Sequence, residues 1–242
     1  MADSLTNRVV VVIGASSGIG RETAILFARE GARVMASARR EDRLRELAME
    51  LAAAGCPIEI HPADATRASD MDELARVTRE RLGEIDALVY VTGDNTPNRS
   101  LKRLTPAIWD AMVRVNLNGA YYATQAVLPA MRERRAGHLI FVASVSALVP
   151  DPSGAAYQAA KRGVLGLAHA IRFEEKENGI RTTAICPGLV ETEILAKRPV
   201  RPAAELLAKA LQPIDVAEAI LAAAKMPQRA TVTELHLWPT LL

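Results

Sequence analysis

Short apolar runs alternate with amphipathic stretches along nearly the whole chain, and this alternation restricts the fold more than any other feature. The runs are rich in Val, Ile and Ala and have no polar face. They predict buried strands at 8–14, 32–38, 58–63, 87–91, 137–143, 180–186 and 234–238. Stretches with helical periodicity lie between them, near 18–30, 41–54, 69–82, 107–134, 155–178 and 215–225. We therefore predict an α/β fold, a doubly wound (Rossmann) parallel sheet of about seven strands with helices on both faces.

No linker, repeat or low-complexity tract interrupts this pattern. We expect a single Rossmann-type domain over residues 1–242, which is within the usual size of one α/β domain. The segment 191–213 combines prolines with charged residues and follows the sixth predicted strand. Loops that cover a ligand are expected at that position, so we interpret the segment as an insertion that covers the substrate.

Charge and composition exclude several classes of partner. The formal net charge is only +2, and no basic run is interleaved with aromatic residues, so we expect no nucleic acid partner. No apolar run reaches the length of a membrane span, and the N-terminal residues show no leader pattern. Cys56 and Cys186 are too few for a disulfide framework, which favours a reducing, cytoplasmic location. The histidines lack ligand spacing and predict no metal site; they are His61, His138, His169 and His236.

A glycine-rich turn joins the first strand to the first helix in "VVVVIGASSGIGRETAILFA". Gly14, Gly18 and Gly20 let the chain turn tightly, and they let its backbone approach a pyrophosphate closely. The N-terminus of the helix adds free N–H groups and a positive dipole end. The turn predicts a dinucleotide site, with further contacts from Ser16, Ser17 and Ile19. A tight turn that binds no ligand is the alternative.

A second stretch, "SVSALVPDPSGAAYQAAK", combines three groups that can carry chemistry. Tyr157 and Lys161 are one helical turn apart and therefore share a face. Ser144 follows the buried run "HLIFVA" and lies thirteen residues before Tyr157. A strand end and a helix face can bring these side chains together, although each of them can also be an ordinary surface group. Ser146 is a rival for Ser144.

These motifs, in this order, resemble the classical short-chain dehydrogenase/reductase (SDR) family, and the resemblance covers nearly the whole chain. The family has T-G-x-x-x-G-x-G after its first strand, matched here by "IGASSGIG" with Ile13 in the place of Thr. The other matching segments are "PADA" with Asp64 and Ala65, "VNLNG" with Asn116, "YQAAK" with Tyr157 and Lys161, and "PGLVET" with Pro187, Gly188, Val190 and Thr192.

The resemblance implies a set of catalytic roles. Tyr157 is expected to be the general acid in reduction and the base in oxidation, with its pKa lowered by the ammonium of Lys161. Lys161 is also expected to hold the nicotinamide ribose. Ser144 would polarise the substrate carbonyl, and Asn116 would anchor a water that extends the proton path.

The resemblance also implies cofactor contacts outside the glycine-rich turn. Asp64 and Ala65 are expected at the adenine, and Pro187, Gly188, Val190 and Thr192 at the nicotinamide. The family's N-N-A-G is replaced here by "YVTG" (90–93), which keeps Gly93 as a cofactor contact but loses the asparagine pair. This loss, and Ile13 for Thr, removes groups that brace the central strands in relatives. Pro187 and Gly188 can alternatively form a plain turn.

Asn116 lies inside the long helical pattern at 107–134. Asn118 and Gly119 are close to it, and all three residues are poor helix formers. This local weakness predicts either a functional kink or a tolerated irregularity.

The second strand ends in "MASARRED", which bears on the choice of dinucleotide. Enzymes selective for NAD usually place a carboxylate here for the ribose 2′-hydroxyl, whereas arginine accommodates a 2′-phosphate. Ala38 occupies the acidic position, and Arg39 and Arg40 follow it. We therefore predict that NADP is preferred over NAD. The alternative is that the arginines simply begin a charged, solvated helix.

Taken together, these features predict an NADP-dependent oxidoreductase that interconverts a carbonyl and a secondary alcohol. The alternatives are an NAD-linked dehydrogenase of the same family and a catalytically silent, cofactor-binding regulatory protein. The substrate is expected to be a small molecule bound by 94–100, 145–155 and 189–210, which include Arg99, Asp151 and Arg198. By analogy with the family we expect a homodimer or homotetramer that pairs through the helices at 107–134 and 155–178.

Overall fold

A computed structural model describes residues 4–241. Its strands form one parallel sheet of seven strands in the order β3-β2-β1-β4-β5-β6-β7. The strands are β1 (Val9–Ile13), β2 (Arg33–Ala38), β3 (Glu59–Pro62), β4 (Ala87–Tyr90), β5 (Gly137–Val142), β6 (Ile180–Pro187) and β7 (Glu234–Leu237). The predicted fold class is confirmed, and each of the predicted strands is present.

Helices cover both faces of this sheet. They are α1 (Gly18–Arg29), α2 (Glu41–Ala53), α3 (Ala68–Leu82), α4 (Pro106–Val113), α5 (Gly119–Arg134), α6 (Ala155–Glu175), α7 (Ala204–Leu207) and α8 (Pro213–Ala224). Within the described residues, none of them is long and apolar enough to cross a membrane.

The central strand shows why the strands need no polar face. Alternate residues of a strand point to opposite faces of the sheet. On β1, Val9, Val11 and Ile13 therefore join the core under α3, α5 and α6, and Val10 and Val12 join the core under α1, α2 and α8. Both faces of β1 are buried in apolar cores, and a continuous run of β-branched residues is the sequence pattern typical of such a strand.

The strand order reverses between β1 and β4, and this reversal positions the site. From β1 the chain proceeds outward to β2 and β3, then returns to place β4 on the other side of β1. The loops after β1 and β4 consequently diverge, which opens a crevice at the carboxyl edge of a parallel sheet. The glycine-rich turn follows β1 and Gly93 follows β4, so both predicted cofactor segments lie at this crevice.

The helix predicted over 107–134 is divided in two. Between α4 and α5 lies a five-residue π-helical turn, Arg114–Asn118, in which Gly119 donates its backbone N–H to the carbonyl of Arg114. Single π turns are frequent at functional sites. The weak helix formers noted in the sequence therefore coincide with a real irregularity that contains Asn116. The segment 191–213 holds a 3-10 turn, Glu193–Lys197, and α7 before α8 begins.

Two helical glycines allow a test of the close packing at the crevice. A Cβ on Gly20 would overlap the carbonyl oxygen of Gly14, whereas a Cβ on Gly166 in α6 would meet nothing within 4 Å. We expect Gly20→Ala to destabilise the protein by about 1–3 kcal/mol through overpacking of the turn. Gly166→Ala should stabilise it by about 0.5–1 kcal/mol through helix propensity. Chemical unfolding of both variants checks this; equal effects of the same sign would contradict it.

Candidate active site

The glycine-rich turn follows β1 and leads directly into α1. Gly14 has φ +99° and Gly18 has φ +54°, in the left-handed region that favours glycine. A Cβ on Gly14 would stand 2.9 Å from the backbone nitrogen of Thr92, and one on Gly18 would stand 3.1 Å from a methyl carbon of Thr192. The turn therefore lies close to the segments after β4 and β6. These three segments together form a narrow cradle at the N-terminus of α1, a place suited to an anionic pyrophosphate.

Arg40 lies across the outer side of this turn. Its guanidinium donates to the hydroxyls of Ser16 at 3.0 Å and Ser17 at 2.7 Å. It also pairs with Glu193 of the covering segment at 2.9 Å. Arg39 is exposed next to it. Two guanidinium groups thus stand at the end of β2, and no carboxylate occupies position 38.

Asp64 lies at the end of the neighbouring strand, β3. Its carboxylate accepts the backbone N–H of Thr66 at 3.0 Å and the Thr66 hydroxyl at 2.9 Å. Burial raises the pKa of Asp64, but the bonds from Thr66 and the charge of Arg39 lower it overall. Ala65 is buried beside it. This corner of the crevice is therefore held by local hydrogen bonds of the loop itself.

The structure brings Ser144, Tyr157 and Lys161 together as predicted from their spacing. Ser144 follows β5 and caps a 3-10 turn, Val145–Ala147, by accepting the N–H of Ser146 at 3.1 Å. The ammonium nitrogen of Lys161 is 5.7 Å from the centre of the Tyr157 ring. The residue Lys161 is 3% exposed, and its ammonium donates to the backbone carbonyl of Val142 at 2.9 Å. One strand end and one helix face thus place a hydroxyl, a phenol and an ammonium in one site.

The predicted lowering of the Tyr157 pKa is wrong. Burial raises the pKa of the phenol to about 12, because the phenolate loses hydration there. The Ser144 hydroxyl and the charges of Arg99 and Arg198 act in the opposite direction, and Asp151 raises the value further. Tyr157 is therefore a protonated group at neutral pH, the state that a proton donor requires.

Lys161 responds to burial in the opposite sense. Loss of hydration lowers the pKa of its ammonium to about 8, and Cys186 opposes this effect. The ammonium therefore loses its proton only slightly above neutral pH. It can hold a proton near the phenol or release one within the ordinary working range of an enzyme.

Asn116 is fully buried in the π turn, and its side chain holds the backbone of Asp94. Its oxygen accepts the N–H of Asp94 at 3.1 Å, and its nitrogen donates to the carbonyls of Asp94 at 2.9 Å and Met112 at 3.0 Å. Both amide hydrogens are thus used by the protein. A Cβ on Gly93 would stand 3.1 Å from the Asn116 oxygen and 3.2 Å from the Lys161 nitrogen. A side chain at 93 would press against both of these groups, which favours glycine at this position.

Tyr90, at the end of β4, braces the π turn. Its buried hydroxyl donates to the carbonyl of Val115 at 3.0 Å, inside the π turn. A Cβ on Gly119 would overlap that hydroxyl. The strand β4 is therefore tied to the irregular turn that carries Asn116, and the small residue at 119 makes this contact possible.

The rival hydroxyl, Ser146, is committed to a network of its own. It donates to Asp151 at 2.5 Å and lies 3.2 Å from the Ser153 hydroxyl. Asp151 also accepts the N–H and the hydroxyl of Ser153 at 2.9 and 3.0 Å. Ser144 donates to Ser146 at 3.1 Å and is the hydroxyl that acts on Tyr157. The geometry favours Ser144 for contact with a substrate.

The remaining predicted residues lie after β6. Pro187 ends that strand, and Gly188 donates its N–H to the carbonyl of Leu237 at 2.8 Å. Val190 forms an isolated bridge with Leu211, and Thr192 begins the turn that carries Glu193. Backbone bonds therefore fix this segment as one wall of the crevice.

Cys186, Glu234 and His236 come together although the sequence shows no ligand spacing. One ligand atom from each lies within 4.8 Å of the others. Each oxygen of Glu234 is already bonded to an imidazole, to His169 at 2.8 Å and to His236 at 2.9 Å. Glu234 is thus hydrogen-bonded to both imidazoles, and Cys186 lies beside this group near the end of β6.

Similarity to known proteins agrees with this arrangement. The sequence model of short chain dehydrogenases matches residues 8–202. The chain belongs to the short chain dehydrogenase family. An uncharacterised oxidoreductase of Staphylococcus aureus (strain N315) is 34% identical to this dehydrogenase over 235 residues, which are 97% of this chain and 98% of the relative. The protein is accordingly an oxidoreductase.

Solved structures of the same fold extend the similarity. An alcohol dehydrogenase of the archaeon Thermococcus sibiricus, complexed with 5-hydroxy-NADP, has a TM-score of 0.87, 28% identity and 97% coverage of both chains. A variant of actinorhodin polyketide ketoreductase with NADPH has a TM-score of 0.88 and 30% identity, with 100% of this chain and 99% of the other covered.

Sequence reasoning missed several groups at the site of this dehydrogenase. Glu193 pairs with Arg40, and Lys197 pairs with Asp94 at 2.5 Å. The role of Tyr90 in bracing the π turn was also not predicted. The charged residues of the covering segment were visible in the sequence, but their partners lie far away along the chain. No local pattern links them.

The crevice fits a dinucleotide by its shape and charge. Glycines at 18 and 93 keep the backbone of the crevice free of side chains, and the N-terminus of α1 and the Arg40 guanidinium offer positive charge to an anionic group. A bound nicotinamide would supply a hydride. At the same edge the chain places a phenol, a hydroxyl and a buried ammonium.

The buried ammonium gives a stability prediction. The folded pKa of Lys161 is about 8 and its ordinary value is 10.5, so the unfolded chain binds more protons between these values. Stability should therefore rise with pH across that window. Lys161→Met should abolish this rise and stabilise the protein at pH 7 by about 1–2 kcal/mol, after loss of the bond to Val142 is subtracted.

Urea unfolding at neutral and alkaline pH tests this, with the exposed Lys209→Met as control. The control should keep the rise in stability seen in the wild type. A Lys161→Met variant that is less stable than the control at pH 7 would show that the ammonium stabilises the fold.

Proposed function

We propose that this protein is an NADP-dependent reductase or dehydrogenase that interconverts a carbonyl and a secondary alcohol, with Tyr157 as general acid and base. The observation that carries the proposal is the grouping of Ser144, Tyr157 and the buried Lys161 at the carboxyl edge of the sheet. Gly93 and the glycine-rich turn lie at the same edge. A binding protein without turnover has no use for a buried proton donor beside a cation.

In reduction, the carbonyl oxygen gains negative charge as the hydride from bound NADPH arrives, and it needs a proton. Tyr157 is protonated at neutral pH because burial raises its pKa to about 12, so its proton is available. As charge passes to the phenol, the Ser144 hydroxyl and the neighbouring cations stabilise it. Ser144 also hydrogen-bonds the carbonyl oxygen and holds it beside Tyr157. In oxidation the same phenol takes the proton back.

Lys161 stabilises the developing phenolate and binds the ribose hydroxyls. Its pKa of about 8 allows it to return a proton to Tyr157 within the working range of pH. The side chain of Asn116 has no amide hydrogen left for a water. Its oxygen still has an unused lone pair, since among residues 4–241 the N–H of Asp94 is the one group that bonds it. We propose that a relay water is held by that lone pair and by the backbone of the π turn.

Two observations support NADP as the cofactor. Arg39 and Arg40 stand at the end of β2, where Ala38 occupies the position at which NAD-selective enzymes carry a carboxylate. Arg40 already bonds two hydroxyls of the turn and one carboxylate, which shows that its guanidinium reaches the cradle. The two neighbouring structures described above were solved with 5-hydroxy-NADP and NADPH.

The proposal includes a small-molecule substrate and self-association. The exposed Tyr121 on α5 and Phe173 on α6 support pairing through these two helices.

Removal of the phenol tests the chemistry. Tyr157→Phe should lower kcat with NADPH and a reactive ketone by about 100-fold or more, because the proton donor is lost. NADPH binding, followed by its fluorescence, should change little. The control, Tyr121→Phe, removes a hydroxyl from the same chain away from the crevice and should keep full activity. Turnover that survives in Tyr157→Phe would refute the assignment of the acid.

Removal of the paired arginines tests the cofactor. The double variant Arg39→Met and Arg40→Met should weaken NADPH binding by about 10- to 100-fold, since charged hydrogen bonds to the 2′-phosphate are lost. NADH binding should stay within about twofold of the wild type. Arg45→Met, on the exposed side of α2, is the matched control. An unchanged ratio of NADPH to NADH affinity would favour the NAD-linked alternative.

A further inference from the structure

Arg99 is the most enclosed cation of the substrate side of the crevice. The residue is only 9% exposed. Its Nε donates to the carbonyl of Thr96 at 2.9 Å and its Nη2 to the carbonyl of Lys197 at 2.9 Å. Among residues 4–241 it forms no ion pair, and no hydrogen bond from its Nη1 is found. A guanidinium buried in this way costs free energy unless an anion compensates it.

The backbone holds Arg99 against the start of α6, the helix that carries Tyr157 and Lys161. A Cβ on Gly154, which has φ +92°, would stand 2.6 Å from the Cβ of Arg99. Asn95, in the same loop as Arg99, donates its side-chain N–H to the carbonyl of Ser153 at 3.1 Å. Gly154 precedes Tyr157 by one helical turn, so the loop that carries Arg99 lies directly beside the phenol.

A second guanidinium reaches the same place from the covering segment. The Lys197 carbonyl that accepts from Arg99 belongs to the peptide bond that joins Lys197 to Arg198. Arg198 is half-buried and, within the described part of the chain, forms no ion pair. The charges of Arg99 and Arg198 both act on Tyr157, and the charge of Arg198 is close enough to lower the pKa of Arg99.

The nearby acids do not neutralise this pair. Asp151 is the carboxylate that faces Arg99 and Tyr157, but its oxygens are occupied by Ser146 and Ser153. Asp94 is paired with Lys197 at 2.5 Å. The two guanidinium groups and the hydrogen-bonded carboxylate of Asp151 together carry a net positive charge beside the Tyr157 phenol.

We propose that Arg99 and Arg198 form an anion subsite, and that the natural substrate is an oxo acid or hydroxy acid whose carboxylate binds there. The inference rests on the proposed function, because it places the carboxylate relative to the carbonyl that Tyr157 protonates. A guanidinium binds a carboxylate through paired, charge-assisted hydrogen bonds, and two of them fix the direction of the substrate in the site.

Matched pairs of substrates test the subsite. Acetoacetate and 4-oxopentanoate are each compared with their methyl esters, which keep the ketone and lose the charge. With NADPH, kcat/KM for at least one acid should exceed that for its ester by about tenfold or more. Arg198→Met should remove that preference, because it should raise KM for the acid much more than KM for the ester. Arg201→Met, an exposed arginine of the same segment, should keep the preference.

A binding measurement decides the question without turnover. By calorimetry, malonate should bind the wild type and Arg201→Met, and bind Arg198→Met about tenfold more weakly or worse. Dimethyl malonate should not bind measurably.

The outcomes separate the two proposals. Reduction of the esters as fast as the acids would overturn the anion subsite and leave the oxidoreductase in place. If no compound is reduced, the proposed function fails for this class, and the malonate titration still decides the subsite. Equal malonate binding by Arg198→Met and Arg201→Met would overturn it.

Discussion

The reversal of strand order between β1 and β4 is the constraint on which the rest of this structure depends. After β1 the chain continues toward one side of the sheet, and after β4 it continues toward the other. No connection therefore crosses the carboxyl edge between these two strands. The glycine-rich turn, Gly93 and the N-terminus of α1 all reach the site only because they follow these strands. The three groups proposed to be catalytic come from the end of β5 and from α6, one strand further along the same edge.

Around this crevice the protein places polar groups where burial disfavours their charge. Lys161 donates to one carbonyl, Tyr157 is held protonated, and Arg99 donates to two carbonyls and, among residues 4–241, forms no ion pair. A sheet packed on both faces can tolerate such groups because its two apolar cores supply stability elsewhere. This arrangement suits ligand binding, because the proposed dinucleotide and acidic substrate carry the negative charges that the cations at the site lack.

The fold could be predicted from the sequence because it depends on short-range patterns: β-branched runs, helical periodicity and the glycine-rich turn. Ser144, Tyr157 and Lys161 were predictable for the same reason, since strand and helix geometry place them. The contacts between Arg40 and Glu193 and between Arg99 and Lys197 join residues 153 and 98 positions apart, so no local pattern predicts them. The pKa of Tyr157 was predicted with the wrong sign, because its spacing from Lys161 carries no information on how deeply the phenol is buried.

The contact between Tyr90 and Gly119 has a consequence for how this family can diversify. A tyrosine at 90 leaves no room for a side chain at 119, and its hydroxyl bonds the carbonyl of Val115. A Cβ at 119 would also stand 2.8 Å from the carbonyl oxygen of Ala65, so it would remain crowded even if Tyr90 were shortened. Position 119 is therefore held as glycine by two separate segments, whereas position 90 can change alone at the cost of one buried hydrogen bond.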